Sequence, residues 1–365
     1  MNSASRWGSL LLKVPEGSYG ALMAMITGGE AVAETLYSIG VRRVFGIVSV
    51  HNLPIYDALS LHPNIEVTNV RHEQGAAHAA DAYSRVTGEL GVILTSTGPG
   101  ALNAVAGIYE AAFVSSQLLM ITGQIESRFR GKGKGFLHEY EKQPDMLRTV
   151  CRSVASVRYT EDISKDLVTV ADDIRRGRPQ PGAVEIPIDL QYRKVEMEIA
   201  DSQQVTRLAP DDILLDQAAD LLRNAERPVI WAGGGVNISG ASDELTTLAE
   251  RLGAPVVTTI EGRGAISEMH ELSLGFRTDR RTGIEIFEEA DVVFAIGTRF
   301  QNYATRVWQL PMPDNLIHVD IDPEVIGRNY PAAVAVVGDA KLSLEGMLER
   351  IDQGGVDPQF VDCCR

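Results

Sequence analysis

The sequence predicts an α/β protein made of two consecutive doubly wound domains, each with a mainly parallel sheet flanked by helices. Short β-branched runs alternate with helical patterns along almost the whole chain. The runs are apolar on both alternations. One polar stretch without strand or helix period, residues 191–207, separates an earlier set of runs from a later one. Strands covered on both faces by helices read as continuous apolar runs, and parallel neighbours are joined by right-handed crossovers.

Residues 1–24 carry no clear pattern, and a strong helix start comes only at "MITGGEA", so Met25 reads as a natural beginning. In "GEAVAETLYSIG" Ala31, Leu36 and Ile39 can share one helical face. Strands are then expected at "VFGIV" (44–48), "IEVTNV" (65–70), "GVILT" (91–95), "LLMIT" (118–122) and "AVEIPI" (183–188), which gives a first domain over 25–190. Residues 191–207 form the linker. A second domain over 208–352 carries "PVIWA" (228–232), "PVVTT" (255–259), "VVFAI" (292–296), "LIHVD" (316–320) and "VAVV" (334–337). Its helix "SDELTTLAERLG" has Ser242 as a plausible N-cap and stops at Gly253. Residues 353–365 form an irregular tail that matches no domain-closing element and reads as a chain that stops rather than finishes.

With 365 residues, 44% hydrophobic and 23% charged, the chain has the composition of an ordinary globular protein of two domains. A formal net charge of −15 argues against nucleic acid or an anionic membrane as main partner. Three cysteines, Cys151, Cys363 and Cys364, are too few and too scattered for a disulfide framework and fit a reducing compartment. No apolar run approaches the roughly 18–20 residues of a membrane span. The cytoplasm is the expected location.

Chemistry concentrates at strand ends. In "NVRHEQGAAHAADAY", residues 69–83, Glu73 stands where a strand gives way to an Ala-rich helix. A carboxylate there gains from the helix dipole, and it also sits where α/β sheets bind ligands. Gly75, Ala76, Ala77, Ala79 and Ala80 allow another backbone to approach closely. "TSTGPGALN" (95–103) sets a Gly98-Pro99-Gly100 turn between a strand and a helix; such a loop holds an anion or serves as a tight turn, and the residues alone leave both open. "WAGGGVNISGA" (231–241) has Ile238 where a dinucleotide fingerprint requires glycine, which favours a structural turn. "RGKGKGF" (130–136) lacks the end of a P-loop and reads as a mobile surface loop. The seven histidines show no metal-ligand spacing.

Taken together, and in their order, these stretches resemble the thiamine-diphosphate enzymes of the acetolactate synthase (acetohydroxyacid synthase large subunit) type, from about Thr27 to about Ile351. "GVRRVFGIVSVHNLPIYDAL", "RHEQGAAHAADAYSRVTG", "TSTGPGALNAVAGI", "ITGQI" and "GRPQPGAVEIPIDLQ" are similar to successive parts of the family's pyrimidine-binding domain. "RPVIWAGGGV" through "HVDIDPEVIGRNYPAAVAVVGDAK" is similar to its central domain. The resemblance implies that Glu73 hydrogen-bonds N1′ of the cofactor's aminopyrimidine, that Gly98, Pro99, Gly100 and Asn103 line the cofactor pocket, and that His138 handles substrate protons. It implies decarboxylation or carboligation of a 2-oxo acid such as pyruvate. It also implies a homodimer or homotetramer assembled through the pyrimidine-binding domains.

This chain departs from the family in several places. Val48-Ser49 replaces the usual Pro-Gly, and Leu137-His138-Glu139 replaces Phe-Gln-Glu. Residues 274–291 do not resemble the glycine-rich stretch that commonly approaches FAD, which counts against FAD here. The Gly-Asp-Gly…Asn motif that holds diphosphate and Mg²⁺ is not found, since Ala340 follows Gly338-Asp339. Activity is therefore expected to need a diphosphate-binding domain from a separate chain. The alternatives are a catalytically inactive homologue or dimerising module, and a nucleotide-binding regulatory protein using Gly233–Gly235.

Overall fold

A computed structural model describes residues 24–203, 205–278 and 281–353. Most of the N-terminal extension, nearly all of the tail with Cys363 and Cys364, and Asp279 and Arg280 of the FAD-related stretch lie outside the described residues.

The first domain is built on six parallel strands, β2 (Arg43–Gly46), β3 (Glu66–Asn69), β4 (Gly91–Thr95), β5 (Leu118–Gln124), β6 (Ser153–Ser156) and β7 (Gly182–Pro187), in the order β3-β2-β4-β5-β7-β6. Alternate side chains feed opposite faces. Val92 and Leu94 of β4 enter a core with α1 (Gly28–Ser38), α2 (Leu53–Leu61) and α6 (Ile163–Arg175). Ile93 enters a second core with α3 (Glu73–Thr87), α4 (Pro99–Val114) and α5 (Gln143–Arg148). This two-sided burial is why the strands read as unbroken apolar runs. Ala31, Leu36 and Ile39 all face the first core. Helix α1 opens on a capping box in which Thr27 and Glu30 exchange side-chain and backbone bonds.

The second domain repeats the plan with β9 (Pro228–Ala232), β10 (Val256–Thr258), β11 (Ser273–Gly275), β12 (Val292–Ile296), β13 (Leu316–Asp320) and β14 (Val334–Val337). Their order is β11-β10-β9-β12-β13-β14, all parallel. Its helices are α8 (Asp212–Arg223), α9 (Gly234–Ser239), α10 (Ser242–Leu252), α11 (Arg281–Glu289) and α12 (Ala340–Arg350).

Four strands were not among the sequence-expected runs. β1 (Ala24–Thr27) pairs antiparallel with β8 (Lys194–Met197), so the polar 191–207 stretch holds a strand, and α7 (Ile188–Tyr192) leads into it. The Lys-Val-Glu-Met alternation has the strand period but is only four residues long, and its partner lies at the other end of the domain. β6 and β11 are edge strands, where a short, half-buried run carries little apolar signal. Ser242 is the first residue of α10, not its cap: Ala241 holds that position, and the Ser242 hydroxyl donates instead to Gly264 O. Cys151 is buried and unpaired, its thiol pushed up to about 12 by burial.

The first sheet reverses its winding between β2 and β4 and again at its far edge, where β6 lies outside β7; the second reverses once, between β9 and β12. The crevices outside the strand C-termini at such switch points are where doubly wound sheets bind ligands.

Candidate functional site

Outside the β2/β4 switch point the chain gathers residues from four segments. Val70 N donates to Gly46 O at 3.1 Å and closes β3, and the extended His72 then caps α3, its Nδ1 accepting from Gln74 N at 3.2 Å. Glu73 thereby leaves the first helical turn pointing at the N-terminal end of α4. Its Oε2 accepts a hydrogen bond from Asn103 Nδ2 at 3.0 Å. A Cβ at position 100 would stand 3.2 Å from Glu73 Oε1 and 2.9 Å from Ser96 Cβ, so Gly100 leaves the second carboxylate oxygen accessible. Glu73 is half-buried and Asn103 exposed, so the carboxylate faces an open surface of this chain. Tyr56, buried beneath it, has a hydroxyl without a hydrogen-bond partner; burial first, and the Glu73 charge second, push that hydroxyl up.

In the 95–103 turn the first backbone donors are already engaged. Gly98 has φ +57 and ψ −109, a conformation that favours glycine, and its N–H donates to Gln143 Oε1 at 2.8 Å. Pro99 has no N–H, and Gly100 N reaches Thr97 O at 3.4 Å. The turn is held from within and from Gln143, so Gly98 offers no free donor to an anion.

His138 lies in the loop after β5 with φ +61. A Cβ at Gly98 would be 2.7 Å from His138 O, so the missing side chain lets the loop rest on the turn. The His138 ring is 5.6 Å from that of His51, a buried residue of the β2–α2 connection. Burial, and then His138, lower the pKa of His51, partly offset by a hydrogen bond from its ring to the Leu137 backbone. His51 Nδ1 stands 3.5 Å from Ser96 Oγ. All six sequence-expected residues, Glu73, Gly98, Pro99, Gly100, Asn103 and His138, thus meet at one edge. His51, Tyr56 and Gln143 join them without having been singled out from sequence. His51 lies five residues beyond the end of β2, in the connection that leaves that strand's C-terminal end, and that position was the available signal.

The second domain has its own crevice. A cavity of about 590 Å³ lies at the β9/β12 switch point and the seam between domains, with Gly234, Gly235, Arg178, Arg299 and Asp320 in its lining. It does not include the Glu73 cluster. Gly233 and Gly235 are pressed on Gly297, where added Cβ atoms would come within 2.1 Å of its O and 2.6 Å of its Cα.

Two family models match the chain: thiamine pyrophosphate enzyme, N-terminal TPP binding domain, over residues 26–146, and thiamine pyrophosphate enzyme, central domain, over residues 215–347. A probable acetolactate synthase large subunit of Methanocaldococcus jannaschii is 36% identical over 331 residues, 88% of this chain and 55% of that protein. The acetolactate synthase isozyme 3 large subunit of Escherichia coli is 34% identical over 343 residues, 91% of this chain and 59% of that protein. The chain belongs to the thiamine pyrophosphate enzymes of the acetolactate synthase type. A probable 2-ketoarginine decarboxylase of Pseudomonas aeruginosa, 36% identical over 338 residues, covers 91% of this chain and 59% of its own length. This thiamine pyrophosphate enzyme chain therefore spans a little over half the length of the curated relatives it matches. The Glu73 cluster falls wholly inside the part matched as TPP-binding. Among the described residues no helix is long and apolar enough to cross a membrane.

Proposed function

We propose that this chain supplies the pyrimidine-binding half of a thiamine-diphosphate site acting on a 2-oxo acid, in decarboxylation or carboligation. The observation that carries this reading is Glu73: one carboxylate oxygen engaged by Asn103, the other accessible beside Gly100, at a sheet switch point inside the TPP-binding match. The donor set fits the aminopyrimidine. Glu73 Oε1 would hold a protonated ring nitrogen of that group by a charge-assisted hydrogen bond, while Asn103 fixes the carboxylate orientation. When bound, thiamine diphosphate supplies a carbon nucleophile and an electron sink. His138, exposed at the same edge, meets the substrate, and buried His51 stays neutral behind it and fixes its ring.

Among the described residues no group of three or more His, Cys, Asp or Glu side chains is placed to hold a metal ion. We assign the diphosphate and Mg²⁺ to a surface that covers the open Glu73 face, from a partner chain or another segment, and expect a cytoplasmic homo-oligomer formed through this domain. Calorimetric titration of the chain with thiamine diphosphate and Mg²⁺ tests the assignment. Weak binding is expected, reduced about tenfold or more in Glu73→Gln through loss of a charge-assisted hydrogen bond. Equal affinity in the two proteins refutes the role of Glu73.

The inter-domain cavity favours a second reading, in which the central domain binds a nucleotide against the first domain. Arg299 and Asp320 near the β9/β12 switch point, faced by Arg178 of the first domain, suit a nucleotide such as ADP or FAD. Protection of that domain from proteolysis by either compound, independent of thiamine diphosphate, is the expected sign.

A further inference from the structure

Glu185, in β7, is a fully buried carboxylate outside the cluster described above, and it accepts four side-chain hydrogen bonds from described residues. Its Oε2 accepts from Gln124 Nε2 at 3.1 Å and Gln143 Nε2 at 3.0 Å; its Oε1 accepts from Ser156 Oγ at 2.8 Å and Arg130 Nη2 at 2.5 Å. Burying a charge costs several kcal/mol unless it is paired and hydrogen-bonded, and four donors meet that demand. The identity of the donors is informative. Arg130 opens the glycine-rich loop of residues 131–142, and Gln143 follows it as the first residue of α5. One carboxylate therefore holds both ends of the loop that carries His138.

Gln143 extends the network to the turn. Its Oε1 accepts from Gly98 N at 2.8 Å and Thr97 Oγ1 at 3.0 Å, while its Nε2, besides bonding Glu185, reaches Gly123 O at 3.2 Å. An unbroken path of hydrogen bonds thus runs from Arg130 through Glu185 and Gln143 to Gly98, and the turn touches the loop again at His138 O. We propose that Glu185 is a positioning residue that binds the 131–142 loop and the Thr97–Gly98 turn into one unit, so that His138 and the Glu73 face keep a fixed relation. Its use at a cofactor site rests on the function proposed above; the coupling itself belongs to this chain. Loosening the loop end then loosens a turn more than thirty residues away in sequence.

The test is hydrogen exchange by mass spectrometry together with limited trypsin digestion, on the 365-residue chain without added cofactor. In Arg130→Gln, cleavage after Lys132 and Lys134 and amide exchange over Thr97–Gly100 are both expected to quicken about tenfold, the factor for one charge-assisted hydrogen bond. Exchange in α1 and in the second domain stays unchanged. Arg130→Lys restores part of the protection, and Glu185→Gln, where it folds, reproduces the loss. Faster cleavage with unchanged exchange at Thr97–Gly100 overturns the coupling. So does a rise spread evenly over the whole domain, which would mean general destabilisation, or no change in either rate. Because no cofactor is present, these outcomes are independent of whether thiamine diphosphate binds.

Discussion

His318 is a fully buried imidazole in β13. Nε2 lies 2.9 Å from Thr298 O, a carbonyl that can only accept, so the proton resides on Nε2; the ring stands edge-on to Phe300. Burial lowers its pKa from 6.5 to about 4. The neutral ring therefore contributes stability that is complete above pH 6.5 and is lost as pH falls toward 4, about 3 kcal/mol in all. Two residues on, Asp320 has the opposite sign: burial raises its pKa from 3.8 to about 6, so the fold loses stability as pH rises from 3.8 to 6. Across pH 4–6 the two largely cancel. In His318→Phe the Asp320 slope is left alone, and urea midpoints should rise between pH 6 and pH 4 relative to the wild-type profile. Parallel profiles for the two proteins would show that His318 does not titrate with unfolding. At this scale, legibility followed sequence distance. Glu73 and the Gly98-Pro99-Gly100 turn could be read because each lies inside one strand–turn–helix segment. Gln143 could not, since its bond to Gly98 spans 45 residues and a glutamine in a polar run has no signal of its own. Glu185 was hidden inside an apolar strand, where a lone acid announces burial without naming its partners.

At the scale of elements, the site depends on how closely α3 and α4 approach. Ala76, Ala77 and Ala80 on α3 are fully buried, and α4 answers with Gly107, where a Cβ would lie 2.6 Å from Ala77 Cβ and 3.1 Å from Gln74 O. Neither neighbour is the end of a flexible side chain, so Gly107→Ala forces the helices apart. The expected cost is about 1–3 kcal/mol, the usual range for overpacking. The displacement occurs one turn from the Glu73–Asn103 bond, so thiamine diphosphate affinity should fall with the thermal midpoint. A variant that melts and binds like wild type would mean that the helices have room to spare. The small residues on α3 were visible in sequence as a sign of close approach, and the buried strands were visible as apolar runs. What a run of alanines could not reveal is its partner, because Gly107 belongs to a helix-like stretch of ordinary appearance. The edge strands β6 and β11, and the β1–β8 pair, were lost for a related reason: each is short, and their pairing is a property of the folded sheet.

At the scale of the whole molecule, two surfaces meet on α4. At its C-terminal end the domains are joined: Arg178 Nε donates to Ser115 Oγ at 2.9 Å and Nη1 pairs with Asp322 at 3.3 Å, while Arg299 donates to Phe113 O. Leu102, beside Asn103 in the first turn, and Tyr109, two turns further on, are 55% and 59% exposed and share one helical face. Val48 and Val50, from the connection after β2, and Leu53, at the start of α2, are also exposed. Exposed large apolar side chains on α4 and at the β2–α2 connection, on the domain that carries the half-buried Glu73 carboxylate, favour a covering surface. Sedimentation equilibrium of the chain at micromolar concentration should show dimers. Tyr109→Glu should weaken association at least thirtyfold, the factor for about 2 kcal/mol at an interface anchor, with the circular dichroism spectrum unchanged. Ile213→Glu makes the same change at an exposed apolar residue of the other domain, on α8, and should leave association as it is. If both variants weaken the dimer alike, or the wild-type chain stays monomeric, the α4 face is not the contact between copies, and the cover over Glu73 comes from elsewhere.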